Sequence, residues 1–144
     1  MRLVWGLDAQ VAEFVAMQFP LAQERGGFNT FRAVGVATDD GTLVGGIVGS
    51  EYRGHDMNLS IYAARPDFLR PAMIGELCRW AFGEAGLKRL TAEIAKKNRR
   101  ARAFVEHVGF VLEGNKRHGW HDGQDDMCIY GMTADRCRWL EGDK

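Results

Sequence analysis

Two β-rich runs, Phe31–Thr38 and Thr42–Tyr52, meet across Asp39-Asp40-Gly41. An Asp-Gly pair between apolar runs is the strongest short-range hairpin signal a sequence carries, because Gly accepts the positive φ of a tight turn. The two strands therefore pair antiparallel, and their neighbours must be compatible with a sheet. A third run, Asp56–Ala63, alternates Met57, Leu59 and Ile61 with Asn58, Ser60 and Tyr62, so its polar set lies on one face. Upstream, Met1–Gly6 is a short strand candidate. Asp8 then caps a helix whose Val11, Phe14, Val15 and Phe19 recur at helical spacing as far as Pro20. Leu21–Thr30, broken by Gly26-Gly27, reads as a loop.

After Ala63 the texture changes. Pro71 suits a first helical position, and Met73, Ile74, Leu77, Trp80 and Ala81 form an apolar stripe ending at Gly83–Gly86. Leu87–Lys96 alternates as a strand with Leu90, Ala92 and Ile94 on one side. Asn98 caps a helix over Arg99–Val108, which Gly109 stops. Phe110–Glu113 and Met127–Met132 are the last strands, separated by a polar stretch holding Gly114, Gly119 and Gly123, and a tail with Cys137, Trp139 and Leu140 follows. Strands first, then helices alternating with strands, predict an α/β (α+β) chain with a mixed sheet flanked by helices. There is no internal repeat. At 144 residues the expectation is one domain, 1–144, able to bury roughly 68–70% of its extended surface without disulfides or a structural metal. Eighteen glycines against three prolines mark many turns in a folded chain.

Several function classes drop out. The chain has no G-x-x-x-x-G-K-[ST] phosphate loop, no H-E-x-x-H helix, no G-x-S-x-G elbow, and no G-x-G-x-x-G after the opening strand. His118, His121 and Asp122 sit in a glycine-rich loop without a third partner at ligand spacing, so no metal is expected. Cys78, Cys128 and Cys137 form no C-x-x-C pair and read as reduced thiols. The first twenty residues lack a signal-peptide pattern and no ~18-residue apolar stretch exists, so a cytoplasmic protein with no membrane partner is expected. Nineteen basic and nineteen acidic residues cancel, which disfavours nucleic acid as a partner. Lys96-Lys97-Asn98-Arg99-Arg100-Ala101-Arg102 is the one dense charge run. It reads as a solvated helix face, as a nucleic-acid patch without interleaved aromatics, or as a pocket for a phosphorylated cofactor at a capped helix start.

The set Ala81-Phe82-Gly83-Glu84-Ala85-Gly86-Leu87-Lys88-Arg89-Leu90, Asn98, Val105-Glu106-His107-Val108-Gly109-Phe110, Leu112-Glu113-Gly114 with Arg117, Asp126, and Tyr130-Gly131-Met132 resembles the GNAT N-acetyltransferase superfamily. The similarity is greatest to the branch of ribosomal-protein acetyltransferases and small phage or bacterial GNAT-like proteins. Its motifs cover about Ala72 to Met132, and the upstream hairpin and third strand fit the family's opening topology. The resemblance implies the GNAT fold, a mostly antiparallel central sheet flanked by helices, and acetyl-CoA as cosubstrate.

It also implies site residues. The acyl donor would lie in a wedge between the strands at Asp56–Ala63 and Leu87–Lys96. Backbone N–H groups of Ile61, Tyr62 and Ala63 would polarise the thioester carbonyl. The family's pyrophosphate loop, Q/R-x-x-G-x-G/A, maps to Leu69, Arg70, Pro71, Ala72, Met73 and Ile74, with Asn98 and Arg102 completing the cofactor set. Here the sequence departs from the family: Leu69 replaces the Q/R, Ala72 and Ile74 replace glycines, and Pro71 removes one donor. Val105 stands where many members carry a tyrosine acid, and Ala101 where the branch has serine.

An ammonium acceptor must lose a proton before it attacks, so a carboxylate or water relay is needed beside the polar strand face. Glu51 is a candidate base or a surface carboxylate. Asn58 and Ser60 are candidates for positioning water or substrate. Tyr130 is either a proton donor to the leaving thiolate or a core tyrosine with its hydroxyl bonded, and His107 is expected to face solvent. The function expected is direct acetyl transfer from acetyl-CoA to a primary amine of a protein, peptide or small molecule. A GNAT-fold binding or regulatory protein with a degraded acyl-CoA site and a phage-type enzyme modifying a nucleobase amine stay open beside it, as does a homodimer.

Overall fold

The computed structural model describes residues 1–17, 30–63, 69–120 and 123–140. Within them seven strands form one sheet: β1 (Arg2–Val4), β2 (Thr30–Ala37), β3 (Leu43–Ser50), β4 (Asn58–Ala63), β5 (Arg89–Ala95), β6 (Val111–Lys116) and β7 (Met127–Thr133). Their spatial order is β1-β2-β3-β4-β5-β7-β6. Three α-helices accompany them: α1 (Asp8–Ala16), α2 (Pro71–Arg79) and α3 (Arg99–Val108). Each matches a sequence-predicted element, with ends displaced by a few residues. Phe19 and Pro20, expected to close α1, lie outside the described residues.

The β2–β3 hairpin closes as the Asp-Gly signal requires. Thr38 donates its N–H to the Thr42 carbonyl at 3.0 Å, and Gly41 takes φ +89°. The Asp40 carboxylate accepts from the Thr38 hydroxyl and from the Thr42 N–H, and these bonds hold its pKa below the ordinary carboxyl value. The strand expected over Thr42–Tyr52 stops at Ser50, because Glu51 enters the left-handed region at φ +53° and turns the chain out of the sheet. The Asp8 cap also fails. Leu7 holds the cap position without a side-chain bond, and the Asp8 carboxylate accepts instead from the Ala33 N–H of β2 at 3.3 Å.

One sheet face packs on α1 through Val11, Val15, Ala33 and Val48. Helix and sheet approach so closely that a Cβ on Gly46 would meet Val15 Cγ2 at 2.7 Å, which explains a glycine in a central strand. The other face packs on α2 and α3, with Ile74, Cys78, Leu90, Ala92, Val105 and Tyr130 in one buried cluster. Beyond Arg79 the α2 backbone continues as one π turn, Trp80–Glu84, where the Ala85 N–H reaches five residues back to the Trp80 carbonyl at 2.8 Å. All three cysteines are free and buried.

Every strand pairing is antiparallel except β4–β5. That parallel pair registers only Asn58 with Thr91 and Leu59 with Ala92. Beyond Leu59, β4 continues to Ala63 on β3, while β5 continues to Ala95 on β7. The two strands therefore part in mid-sheet. Since each leads through a connection into a helix, α2 and α3 both begin at the end where the gap opens. Ligands of open α/β sheets bind at such carboxyl-terminal crevices.

Candidate active site

Where β4 and β5 are still joined, their polar face carries Asn58 between two carboxylates. The Asn58 side-chain amide donates to Glu51 Oε2 at 2.8 Å and to Glu93 Oε1 at 2.7 Å. Glu51 reaches this point from the turn after β3, closed by the Arg53 N–H donating to the Asp56 carbonyl at 3.0 Å. It does not sit on a strand, as the extended Thr42–Tyr52 run had implied. Ser60, half-buried, follows Asn58 on the same face, and the Tyr62 ring stands edge-on to Phe14 with centroids 5.6 Å apart. Nearby, Arg89 pairs with Glu113 Oε1 at 2.8 Å and with Asp56 Oδ1 at 3.5 Å, and the Thr91 hydroxyl donates to Asp56 at 2.8 Å. The hydrogen bond to Glu113 chiefly raises the Arg89 pKa, so this guanidinium stays charged and committed.

The gap supplies backbone donors. Thr91 donates its N–H to the Met57 carbonyl at 3.0 Å, so Met57 turns its backbone groups toward β5. By strand alternation Leu59, Ile61 and Ala63 do likewise, whereas Tyr62 turns toward β3, where it registers with Gly46. Of the three amides assigned from the sequence, Ile61 and Ala63 thus face the opening and Tyr62 does not. The side chain of Ile61 packs into the core on the helical face.

At the open end, Pro71 starts α2 with Arg70 extended before it, and no side chain caps this helix. The N–H groups of Met73 and Ile74 both bond the Arg70 carbonyl, at 2.9 and 3.0 Å, and their side chains are buried. Leu69 packs against the core. Exposed Arg70 and the Ala72 N–H are the parts of the expected loop left to meet an anion. At the neighbouring start of α3, Asn98 caps the helix, its Oδ1 accepting from the Ala101 N–H at 3.1 Å. Lys96, Lys97, Arg99 and Arg100 are exposed around it. Arg102 is turned inward instead, donating from Nε to the Tyr130 hydroxyl at 3.0 Å and from Nη1 to the Lys96 carbonyl at 3.1 Å.

Tyr130 is fully buried on β7, and its hydroxyl donates to Glu106 Oε2. Burial and that donated bond push its pKa up, so it remains a protonated, engaged hydroxyl between β7 and α3. The structure therefore assembles Glu51, Asn58 and Ser60 on one face and leaves Tyr130 on the other. Glu93 was missed from the sequence. Its signal was parity: with Leu90, Ala92 and Ile94 facing the helices, Glu93 had to share the face of Asn58 and Ser60. His118 donates its N–H to Asp126 at 3.0 Å and places Nδ1 3.1 Å from the Gly123 carbonyl, while His121 and Asp122 lie outside the described residues. Among the described residues there is no group of three metal-ligating side chains, and no helix is long and apolar enough to cross a membrane.

A family model described as an acetyltransferase (GNAT) domain matches residues 4–111. Among solved structures, mutant forms of the spermidine/spermine N-acetyltransferase SpeG from Vibrio cholerae superpose with a TM-score of 0.72 at 15% identity, over 99% of this chain and 100% of that one. A probable acetyltransferase gives a TM-score of 0.62 at 25% identity, over 72% of this chain and 62% of that one. A GNAT-family acetyltransferase from Bacillus anthracis gives 0.58 at 21% identity, over 72% and 66%. No curated protein sequence matches the chain.

Proposed function

The chain belongs to the GNAT acetyltransferase family, and from that premise we propose that it transfers an acetyl group from acetyl-CoA directly to a primary amine, with Glu93 and Glu51 managing the amine's proton. The observation that carries this reading is the Asn58 amide bridging Glu51 and Glu93 at 2.8 and 2.7 Å, beside the point where β4 and β5 part. A bound ammonium gains from two carboxylates and then loses a proton to one of them, directly or through water. The half-buried Glu93 is the better placed acceptor of that proton, with Ser60 orienting the amine or the water.

Acetyl-CoA supplies an activated acyl carbon as a thioester. Transfer forms the C–N bond, breaks the C–S bond, and returns one proton to the leaving sulfur. The amides of Ile61 and Ala63, left without a β5 partner, fit an arm lying along β4 and a carbonyl oxygen gaining charge. Arg70, the Ala72 N–H and the exposed cations around Asn98 fit the phosphates, with fewer backbone donors than a glycine-rich loop provides. Tyr130 and Arg102 hold α3 on the sheet in this reading. The paired carboxylates favour a cationic acceptor, and the likeness to a spermidine/spermine enzyme makes a polyamine the first amine to assay.

Calorimetry with acetyl-CoA, CoA and dephospho-CoA, together with thiol release over polyamines, peptides with free amino termini and small amines, tests the reading. Binding of acetyl-CoA, weakened for dephospho-CoA, and amine-dependent thiol release are expected. Absence of any binding at millimolar acetyl-CoA overturns it.

A further inference from the structure

On the side of the same sheet covered by α2 and α3 lies a partly enclosed cavity of about 70 Å³ whose lining is almost wholly apolar. Its walls include Leu59 and Ile61 from β4, Leu90 from β5, Leu77 from α2, Ala81 from the π turn and Val105 from α3. Interiors are normally close-packed, and apolar walls offer water few hydrogen bonds, so apolar carbon entering such a space gains contacts and displaces poorly bonded water. Leu59 and Ile61 also border the parting of β4 and β5. The cavity thus adjoins the position that the functional reading gives to the thioester.

An acyl chain longer than acetyl has two ways to leave that position. Toward the polar face it would lie against Asn58, Glu51 and Glu93 and strip water from two carboxylates, which is costly. Toward the face covered by α2 and α3 it would enter a space walled by aliphatic and aromatic side chains, with Arg32 the one charged residue in the lining. The volume is about half of the ~150 Å³ engineered cavity that takes benzene, leaving room for roughly three carbons beyond the acetyl methyl. We propose that this cavity is an acyl-chain pocket and that the protein binds short-chain acyl-CoA thioesters, butyryl and pentanoyl, more tightly than acetyl-CoA. The proposal rests on the reading that the acyl donor enters between β4 and β5.

Calorimetry with CoA, acetyl-, butyryl-, pentanoyl- and octanoyl-CoA tests it without any acceptor. Affinity should rise about fourfold per added methylene and stop rising once the void is full, so octanoyl-CoA should bind no better than pentanoyl-CoA. Acetyl-CoA binding as tightly as butyryl-CoA overturns the proposal and leaves the acetyltransferase reading standing. Failure of CoA and every thioester to bind overturns that reading and the pocket with it. Ala81→Leu and Leu77→Phe place carbon in the void, and in either variant that folds the ratio of butyryl to acetyl affinity should fall toward one. A ratio kept at its original value in a folded variant overturns the pocket. Should neither variant fold, the chain-length series on the unaltered protein decides.

Discussion

The two faces of the β4–β5 seam are built from alternate residues of the same strands, yet they obey different rules. On one face Asn58, Ser60 and Glu93 stay half-buried and polar, and the hydrogen bonds of Asn58 to Glu93 and Glu51 are ones that a small movement can exchange for water or a substrate. On the other, Leu90, Ala92 and Ile94 are buried against α2 and α3, and their worth is in area removed from water. Polar groups that are only partly buried keep their chemistry, whereas packed apolar groups fix the distance between strands. A fold that must present chemistry and hold a gap open does both with one pair of strands. Substitutions on the two faces should therefore separate turnover from stability.

The largest expected effect lies on the polar face. Glu93→Gln keeps the shape and the acceptor oxygen for Asn58 but removes the base, and acetyl transfer at neutral pH should fall ~10²–10⁴-fold with acetyl-CoA affinity nearly intact. Glu51→Gln, at an exposed turn, should cost less. Turnover at the unaltered level in Glu93→Gln would break the contrast between the faces and return the proton to solvent water. On the apolar face, Leu90→Ala should lower unfolding free energy by about 2–5 kcal/mol in urea titrations, since Leu90 is 5% exposed and leaves a larger void behind it. A stability change below 1 kcal/mol there would mean that the core yields more easily than its packing indicates.

Two smaller effects sharpen the boundary between the faces. Asn98→Ala removes the acceptor for the Ala101 N–H and should cost about 0.5–2 kcal/mol, while Asn98→Ser retains most of it. If Ser restores stability and acetyl-CoA affinity together, Asn98 acts through the cap alone. Tyr130→Phe removes a buried hydroxyl that serves Glu106 and Arg102 and should cost about 1 kcal/mol with turnover kept within a few fold. A hundredfold loss of turnover in that variant would restore Tyr130 as the proton donor to the leaving thiolate.

Periodicity in the sequence was enough for the strands, the helices and their order, because Asp39-Asp40-Gly41, Pro71, Asn98 and Gly109 each impose a local geometry that tertiary packing has no reason to override. The site was legible only in part. Asn58 and Ser60 follow from alternation, and Glu93 follows from the same rule applied to the next strand. Glu51 is different: its approach to Asn58 depends on a left-handed residue at the end of β3, which no propensity requires of glutamate. Arg102 belongs to a charge run whose spacing does not announce a partner, and only the position of Tyr130 on β7 shows where its guanidinium turns. The parting of β4 and β5 is a property of two strands far apart in sequence, so its presence rested on family resemblance until the register was seen.

The smallest expected effect tests whether the β6–β7 connection is scaffold alone. Asp126 accepts the His118 N–H at 3.0 Å and the Asn115 amide at 3.1 Å, and its own carbonyl accepts from the Lys96 N–H at 2.9 Å, tying this connection to the β5–α3 turn. The His118 bond first, and the Asn115 bond next, hold its carboxyl below the ordinary 3.8. A carboxyl whose folded pKa lies below its unfolded value stabilises the fold at every pH above the unfolded value and ceases to do so as pH falls through the folded one. Asp126→Asn should therefore have a lower urea midpoint than the unaltered protein at pH 7, and the difference should narrow as pH is taken below 3.8. Turnover at pH 7 and saturating acetyl-CoA should not change, because the connection touches neither Asn58 nor the strand gap and meets only the β5–α3 turn. A pH-independent midpoint difference would assign the effect to lost shape rather than lost charge, and a drop in turnover would extend the working face of the sheet to β6 and β7.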